Sequence, residues 1–154
     1  PLPEQAEPAL IAQLRQRFHC PEPRLDLAQR LRDRAHAAID ISDGLLGDLE
    51  HILEASGVGA RLQADRLPLS SALQQLYPQQ ARDWALAGGE DFELCLTVPA
   101  DEVDACLETA RTLGVRLTEV GEITAETGLQ VLDENGQTLH LLPGSWDHFR
   151  SKDE

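Results

Sequence analysis

Asn135-Gly136 stands between two short apolar runs, Leu129 to Leu132 and Thr138 to Leu142. Both residue types accept the positive φ of a tight hairpin turn, so the flanking runs are predicted to pair antiparallel. Upstream, stretches of helical period alternate with short runs of strand period. An antiparallel hairpin joined to such a mixture excludes an all-helical bundle and a purely parallel α/β sheet. The expectation is an α+β fold, a mixed and mostly antiparallel sheet covered by helices.

The helical stretches begin with Glu7 to Phe18, where Leu10, Ile11, Leu14 and Phe18 share one face. Pro21 and Pro23 end it. A second helix is expected from Leu25 to about Ala35, with Leu27, Ala28, Leu31 and Ala35 as its stripe. Ala37 to Ile41 reads as a short buried strand. Leu45, Leu46, Leu49, Ile52 and Leu53 then fall at helical spacing, with Ser42 or Asp43 as the N-cap. Val58 to Leu62 is a strand, and helices follow around Ser70 to Leu76 and Pro78 to Leu86. Glu93 to Val98 alternates, with Leu94, Leu96 and Val98 on one side. Asp101 is expected to cap a helix striped by Val103, Cys106, Leu107 and Ala110. Val115 to Ile123 reads as a strand whose alternation slips near Glu119, as at a bulge.

The 154 residues suit one domain with a real core. Acidic side chains number 27 against 13 basic ones, a formal charge of −14, and 42% of residues are apolar. That is too apolar for a disordered acidic tail. The acidic balance argues against nucleic acid, whose phosphates require clustered Lys and Arg. No apolar run approaches the roughly 18 residues of a membrane span. Pro1-Leu2-Pro3-Glu4 lacks the positive start and apolar stretch of a signal peptide. Cys20, Cys95 and Cys106 have no metal-ligand spacing and read as reduced thiols of a cytoplasmic protein.

Three segments can carry chemistry. In Asp40-Ile41-Ser42-Asp43-Gly44 a strand ends, the chain turns, and a helix begins. Free N–H groups at a helix start favour oxyanions, and Gly44 permits close approach. Two carboxylates and a hydroxyl there suit a Mg²⁺–phosphate site, and Asp48 could add a third carboxylate to the same side. The simpler reading is an N-cap with a paired Asp40. In Gly88-Gly89-Glu90-Asp91, two glycines precede two acids, which suits close ligand approach or simply a helix C-cap. In Trp146-Asp147-His148-Phe149, Trp146 can stack on a planar ligand or anchor the C-terminus, and His148 reads as structural. No nucleophile elbow, phosphate-binding loop or zinc spacing is present.

Together these segments resemble thiamine-monophosphate kinases. The resemblance rests on Ala38-Ile39-Asp40-Ile41-Ser42-Asp43-Gly44-Leu45 with Asp48-Leu49, on Gly57-Val58-Gly59-Ala60, and on Leu67-Pro68-Leu69-Ser70. It extends through Ala87-Gly88-Gly89-Glu90-Asp91-Phe92-Glu93-Leu94. The run Gly144-Ser145-Trp146-Asp147-His148-Phe149 is similar to the family's Gly-Tyr-Asp-His-Phe close, with Trp for Tyr and one inserted residue. Several separated motifs in order are far more specific than any one alone.

The resemblance implies the C-terminal domain of an aminoimidazole-ribonucleotide-synthetase-like enzyme. It implies residues 1–20 as a linker helix from a missing N-terminal domain, 21–150 as the C-terminal kinase domain, and 151–154 as a tail. The implied reaction uses ATP and Mg²⁺ to convert thiamine monophosphate to thiamine diphosphate by direct in-line transfer, without a protein nucleophile. Asp40 and Asp43 match metal-holding carboxylates, and Ser42 matches a residue contacting nucleotide phosphates. Glu90 matches a substrate-side residue, and Trp146 stands where an aromatic contacts the thiamine end. Trp keeps the flat face and lacks the phenol hydroxyl. The implied full-length enzyme is a cytoplasmic homodimer, with neither nucleic acid nor membrane as a partner, and the isolated chain is expected to be inactive. Two alternatives stay open: another ATP-using enzyme of the superfamily, or a non-catalytic binding domain that keeps the fold.

Overall fold

Leu45, Leu49, Ile52 and Leu53 recur at intervals of three and four, and one helix face buries all of them. The computed structural model describes residues 7–139. Around that helix the chain runs as α1 (Pro8–His19), α2 (Leu25–Leu31), β1 (Ala37–Asp40), α3 (Leu45–Ser56) and β2 (Gly59–Gln63). Then come α4 (Ser71–Leu76), α5 (Ala81–Ala87), β3 (Leu94–Thr97), α6 (Val103–Thr112), β4 (Gly121–Thr124) and β5 (Gly128–Leu132). The α+β expectation holds.

The strands form two small sheets rather than one. β1 and β3 pair antiparallel, with Ala37 opposite Thr97 and Asp40 opposite Leu94. β2 lies between β4 and β5, antiparallel to β4 and parallel to β5. A two-stranded ribbon leaves β1 partly open. Its residues alternate half-buried and exposed, so the expected buried strand is corrected.

The core has two parts. Leu45, Leu49 and Leu53 of α3 pack with Ala60, Leu62, Leu86 and Val131. Leu27 and Leu31 of α2 pack with Cys106 and Ala110 of α6. Each fully buried leucine contributes about 1.5–3 kcal/mol by leaving water. β3 joins the two clusters through its period of two: Cys95 packs on the first, Leu96 on the second.

Several boundaries differ from the sequence expectation. α2 stops at Leu31, whose carbonyl receives both the Arg34 and Ala35 N–H groups; His36 N–H is then taken by Thr97. The ladder captures the chain before the helix can continue. Asp101 does not cap α6; it lies in a 3₁₀ turn, Ala100–Glu102, that leads into the helix. Only the end of the 115–123 run pairs as β4, although Val120 accepts a bond from Gln63 N–H. The alternation slip at Glu119 marks the place where pairing begins. Asp133 accepts from the Asn135 and Gln137 N–H groups and its own N–H bonds Gln137 O, which closes the expected turn. Leu132 and Thr138 make an antiparallel bridge, and Leu139 N–H donates to Val131 O; the returning run from 140 on lies outside the described residues.

α1 keeps its face of Leu10, Ile11, Leu14 and Phe18, but the described structure buries none of α1, and Phe18 is 62% exposed. Among the described residues no helix is long and apolar enough to cross a membrane.

Candidate functional site

β1 and β3 are adjacent, so the loops that extend them meet beyond the sheet. The turn after β1, residues 41–44, lies against the loop before β3, residues 88–92. Main-chain bonds continue the ladder between them. Ile41 N–H donates to Glu93 O at 2.8 Å, Phe92 N–H to Ile41 O at 2.8 Å, and Glu90 N–H to Ser42 O at 2.7 Å. The two acidic segments that sequence treats separately are thus one constellation. Asp40, Asp43 and Glu90 are exposed there, and Ser42 is half-buried.

Glycines make the close approach possible. A Cβ on Gly89 would overlap the Ser42 carbonyl oxygen. Gly44 sits at φ 109°, and a Cβ there would lie 2.9 Å from the Ala87 carbonyl carbon. Only glycine meets both demands without strain. The loop itself carries strain. Glu90 and Phe92 adopt φ of 66° and 52°, a left-handed region uncommon for such residues. Conformations of this kind cost about 1–3 kcal/mol each and persist when neighbours over-determine them.

The expected N-cap is corrected. Gly44, not Ser42 or Asp43, occupies the cap position of α3, and no side chain caps the helix there. Asp48 does not join the exposed carboxylates Asp40 and Asp43. It lies on the apolar stripe of α3 and is the buried charged residue of the described structure, 3% exposed. Its Oδ2 accepts the Ser42 N–H at 2.8 Å and the Asp43 N–H at 3.0 Å. The signal was present in sequence: an acid at the helical spacing of Leu45, Leu49 and Ile52 must find donors inside.

The second loop is fastened from the other side. Arg24 grips Glu93 with two bonds, Nε to Oε2 at 2.8 Å and Nη2 to Oε1 at 2.9 Å. Arg17 of α1 also bonds Glu93 Oε1, and Glu22 bridges to Arg24 at 3.0 Å. Burial opposes ionisation of Glu93, but the two arginines outweigh it and hold its carboxyl below the ordinary range. Hydrogen bonding to Glu93 likewise raises the Arg24 guanidinium above its usual value. Desolvation and the Glu93 charge push the Asp91 carboxyl up, against the pull of Arg17. Sequence reading gave Arg17, Arg24 and Glu93 no part in the site. Their contacts span about 70 positions of chain, so no local pattern exposes them.

Among the described residues, no three His, Cys, Asp or Glu groups gather as a ready metal cage. Asp40 at the end of β1 and Asp43 in the turn that follows nonetheless offer exposed hard carboxylate oxygens. That donor set fits Mg²⁺, which commonly takes one or two carboxylates and completes its shell with phosphate and water. Trp146 lies outside the described residues.

Comparison with known proteins places this geometry in a family. Residues 10–134 match the family described as AIR synthase related protein, C-terminal domain. The thiamine-monophosphate kinase of Escherichia coli K12 is 45% identical over 130 residues, covering 84% of this chain and 40% of that protein. The crystal structure of thiamine-monophosphate kinase from Stenotrophomonas maltophilia K279a is 46% identical with a TM-score of 0.79. It covers 86% of this chain and 41% of that one. A structure of AaThiL complexed with AMPPCP and TMP is 32% identical with a TM-score of 0.72, covering 96% of this chain and 44% of that one. The chain spans about two fifths of the length of the curated relatives it matches.

Proposed function

This chain belongs to the AIR synthase related family, C-terminal domain, and from that premise we propose that it forms the C-terminal part of a kinase converting thiamine monophosphate to thiamine diphosphate. The observation that carries the reading is the glycine-tight contact between the turn at 41–44 and the loop at 88–92. It brings Asp40, Ser42 and Asp43 to the same sheet end as Glu90, which supports a shared phosphate and substrate site. The similarity to thiamine-monophosphate kinases, and to a relative complexed with AMPPCP and TMP, supports the same reading.

In this proposal Asp40 and Asp43 hold Mg²⁺, and Ser42 contacts the nucleotide phosphates. A Mg²⁺ ion held by these carboxylates would supply positive charge at the phosphates, which would suit acids rather than lysines at a phosphate site. Glu90 faces the acceptor, and Trp146 offers a flat face to the thiamine end. The cationic thiazolium suits acidic and aromatic neighbours. A phosphate oxygen of thiamine monophosphate attacks the γ-phosphorus of ATP in line, the bond to the β–γ bridging oxygen breaks, and ADP leaves. No residue of this chain becomes covalently attached. Its work is positioning and charge neutralisation.

The activity belongs in this proposal to a longer, dimeric cytoplasmic protein whose further domain completes the ATP site, and the isolated chain turns nothing over. Three free thiols accord with a reducing location. Assay of the full-length protein for ATP-dependent thiamine diphosphate is the test. Product from ATP, Mg²⁺ and thiamine monophosphate supports the reading. Failure with that acceptor, alongside phosphorylation of a purine intermediate, would replace it by a sister activity.

A further inference from the structure

Asp48 occupies the donors that a phosphate would otherwise use. Consecutive main-chain N–H groups at a turn before a helix form an anion-binding concavity. Here the Ser42 and Asp43 N–H groups both point at Asp48 Oδ2, at 2.8 and 3.0 Å. The carboxylate is tethered one turn into α3, so it competes at the high effective concentration of an intramolecular group. Its partners among the described residues are main-chain donors rather than a cation. Burial adds to this, because hydrogen bonds to a charged acceptor strengthen where water is excluded. The charge is felt across the core. Desolvation, reinforced by Asp48, pushes the Cys95 thiol up to about 11.

Resting on the reading that phosphate meets this turn with Mg²⁺, we infer that Asp48 is a positioning residue that makes the turn select metal-borne phosphate over bare phosphate. Its carboxylate fills the turn's own anion position and fixes the backbone that carries Asp40, Ser42 and Asp43. What remains outward is negative: Asp40 and Asp43 are both exposed. Bare phosphate finds the Ser42 and Asp43 donors engaged and two carboxylates facing it. Mg²⁺ finds a turn already shaped for it.

The test is a titration of the ¹⁵N-labelled full-length protein with inorganic pyrophosphate, first in chelator and then in Mg²⁺. The Ser42 and Asp43 amide resonances are expected to stay fixed in chelator and to move with Mg²⁺. Saturable movement of those two amides in chelator overturns the inference. No movement in either condition overturns the metal–phosphate reading on which it rests, so the two failures are distinguishable. A second variant sharpens the result. In Asp48→Asn the neutral amide oxygen is a weaker acceptor. Both amide protons are expected to shift upfield, and the ratio of pyrophosphate affinities with and without Mg²⁺ to fall about tenfold or more. An unchanged ratio with unchanged amide shifts overturns the inference. If that variant does not fold, the wild-type titration alone decides it.

Discussion

Glu90 donates its backbone N–H to the Ser42 carbonyl oxygen over 2.7 Å, although 48 positions separate them in sequence. That bond closes the site. It holds a loop with two left-handed non-glycine residues against the turn that follows Asp40 and carries Asp43. The placement of Glu90 beside the turn at 41–44 depends on this contact surviving.

Substitution at the contact therefore has a defined effect. Gly89→Ala forces a methyl group into the Ser42 carbonyl oxygen. The expected cost is about 2 kcal/mol or more, because the obstruction is backbone and cannot rotate away. Hydrogen exchange reads the local effect, with faster exchange at the Glu90 and Phe92 amides than at α3. Gly44→Ala should behave alike, since it meets both the Ala87 backbone and a φ of 109°.

A second expectation concerns acid. Glu93 has a depressed carboxyl in the folded state, so its contribution is present above the ordinary Glu range and is lost as pH falls through the folded value. Asp91 is raised and works oppositely, with protonation relieving a crowded charge. Protonation of Glu93 releases the arginines. Glu93→Gln should cost about 1–2 kcal/mol at neutral pH, less than a fully buried pair because Glu93 keeps solvent contact. It should also flatten the loss of stability below about pH 4. Denaturant melts of both proteins across pH 3–7 check this.

The thiols give a third. Cys20 is exposed, Cys106 is buried, and burial with the Asp48 charge raises Cys95 to about 11. Thiolate is the reactive form. Native protein at pH 8 should therefore release one fast equivalent to a disulfide reagent, at Cys20. The other two should react at the rate of unfolding. Peptide mapping after brief alkylation assigns the site.

The sequence exposes local features and hides paired ones. Leu45 to Leu53 announces α3 because its apolar period repeats over more than two turns. Asp40, Ser42, Asp43 and Glu90 are legible as motif residues because glycine and acid stand together at each junction. Their apposition is not, since it depends on β1 choosing β3 as its partner. The division into two sheets is hidden for the same reason, because strand pairing is a choice among distant segments. Asp48 is the instructive case: its position on the apolar stripe pointed inward, while its motif pointed outward. The buried acceptor role prevailed because Ser42 and Asp43 supply two donors there.

The most direct measurement is the Mg²⁺ dependence of thiamine diphosphate formation by the full-length protein, wild type against Asp43→Asn. The variant keeps the shape of the turn and removes one hard anionic ligand. The account predicts a rate about a hundredfold lower or more, with a Mg²⁺ requirement displaced to higher concentration. An equal rate with an unchanged Mg²⁺ requirement would contradict it.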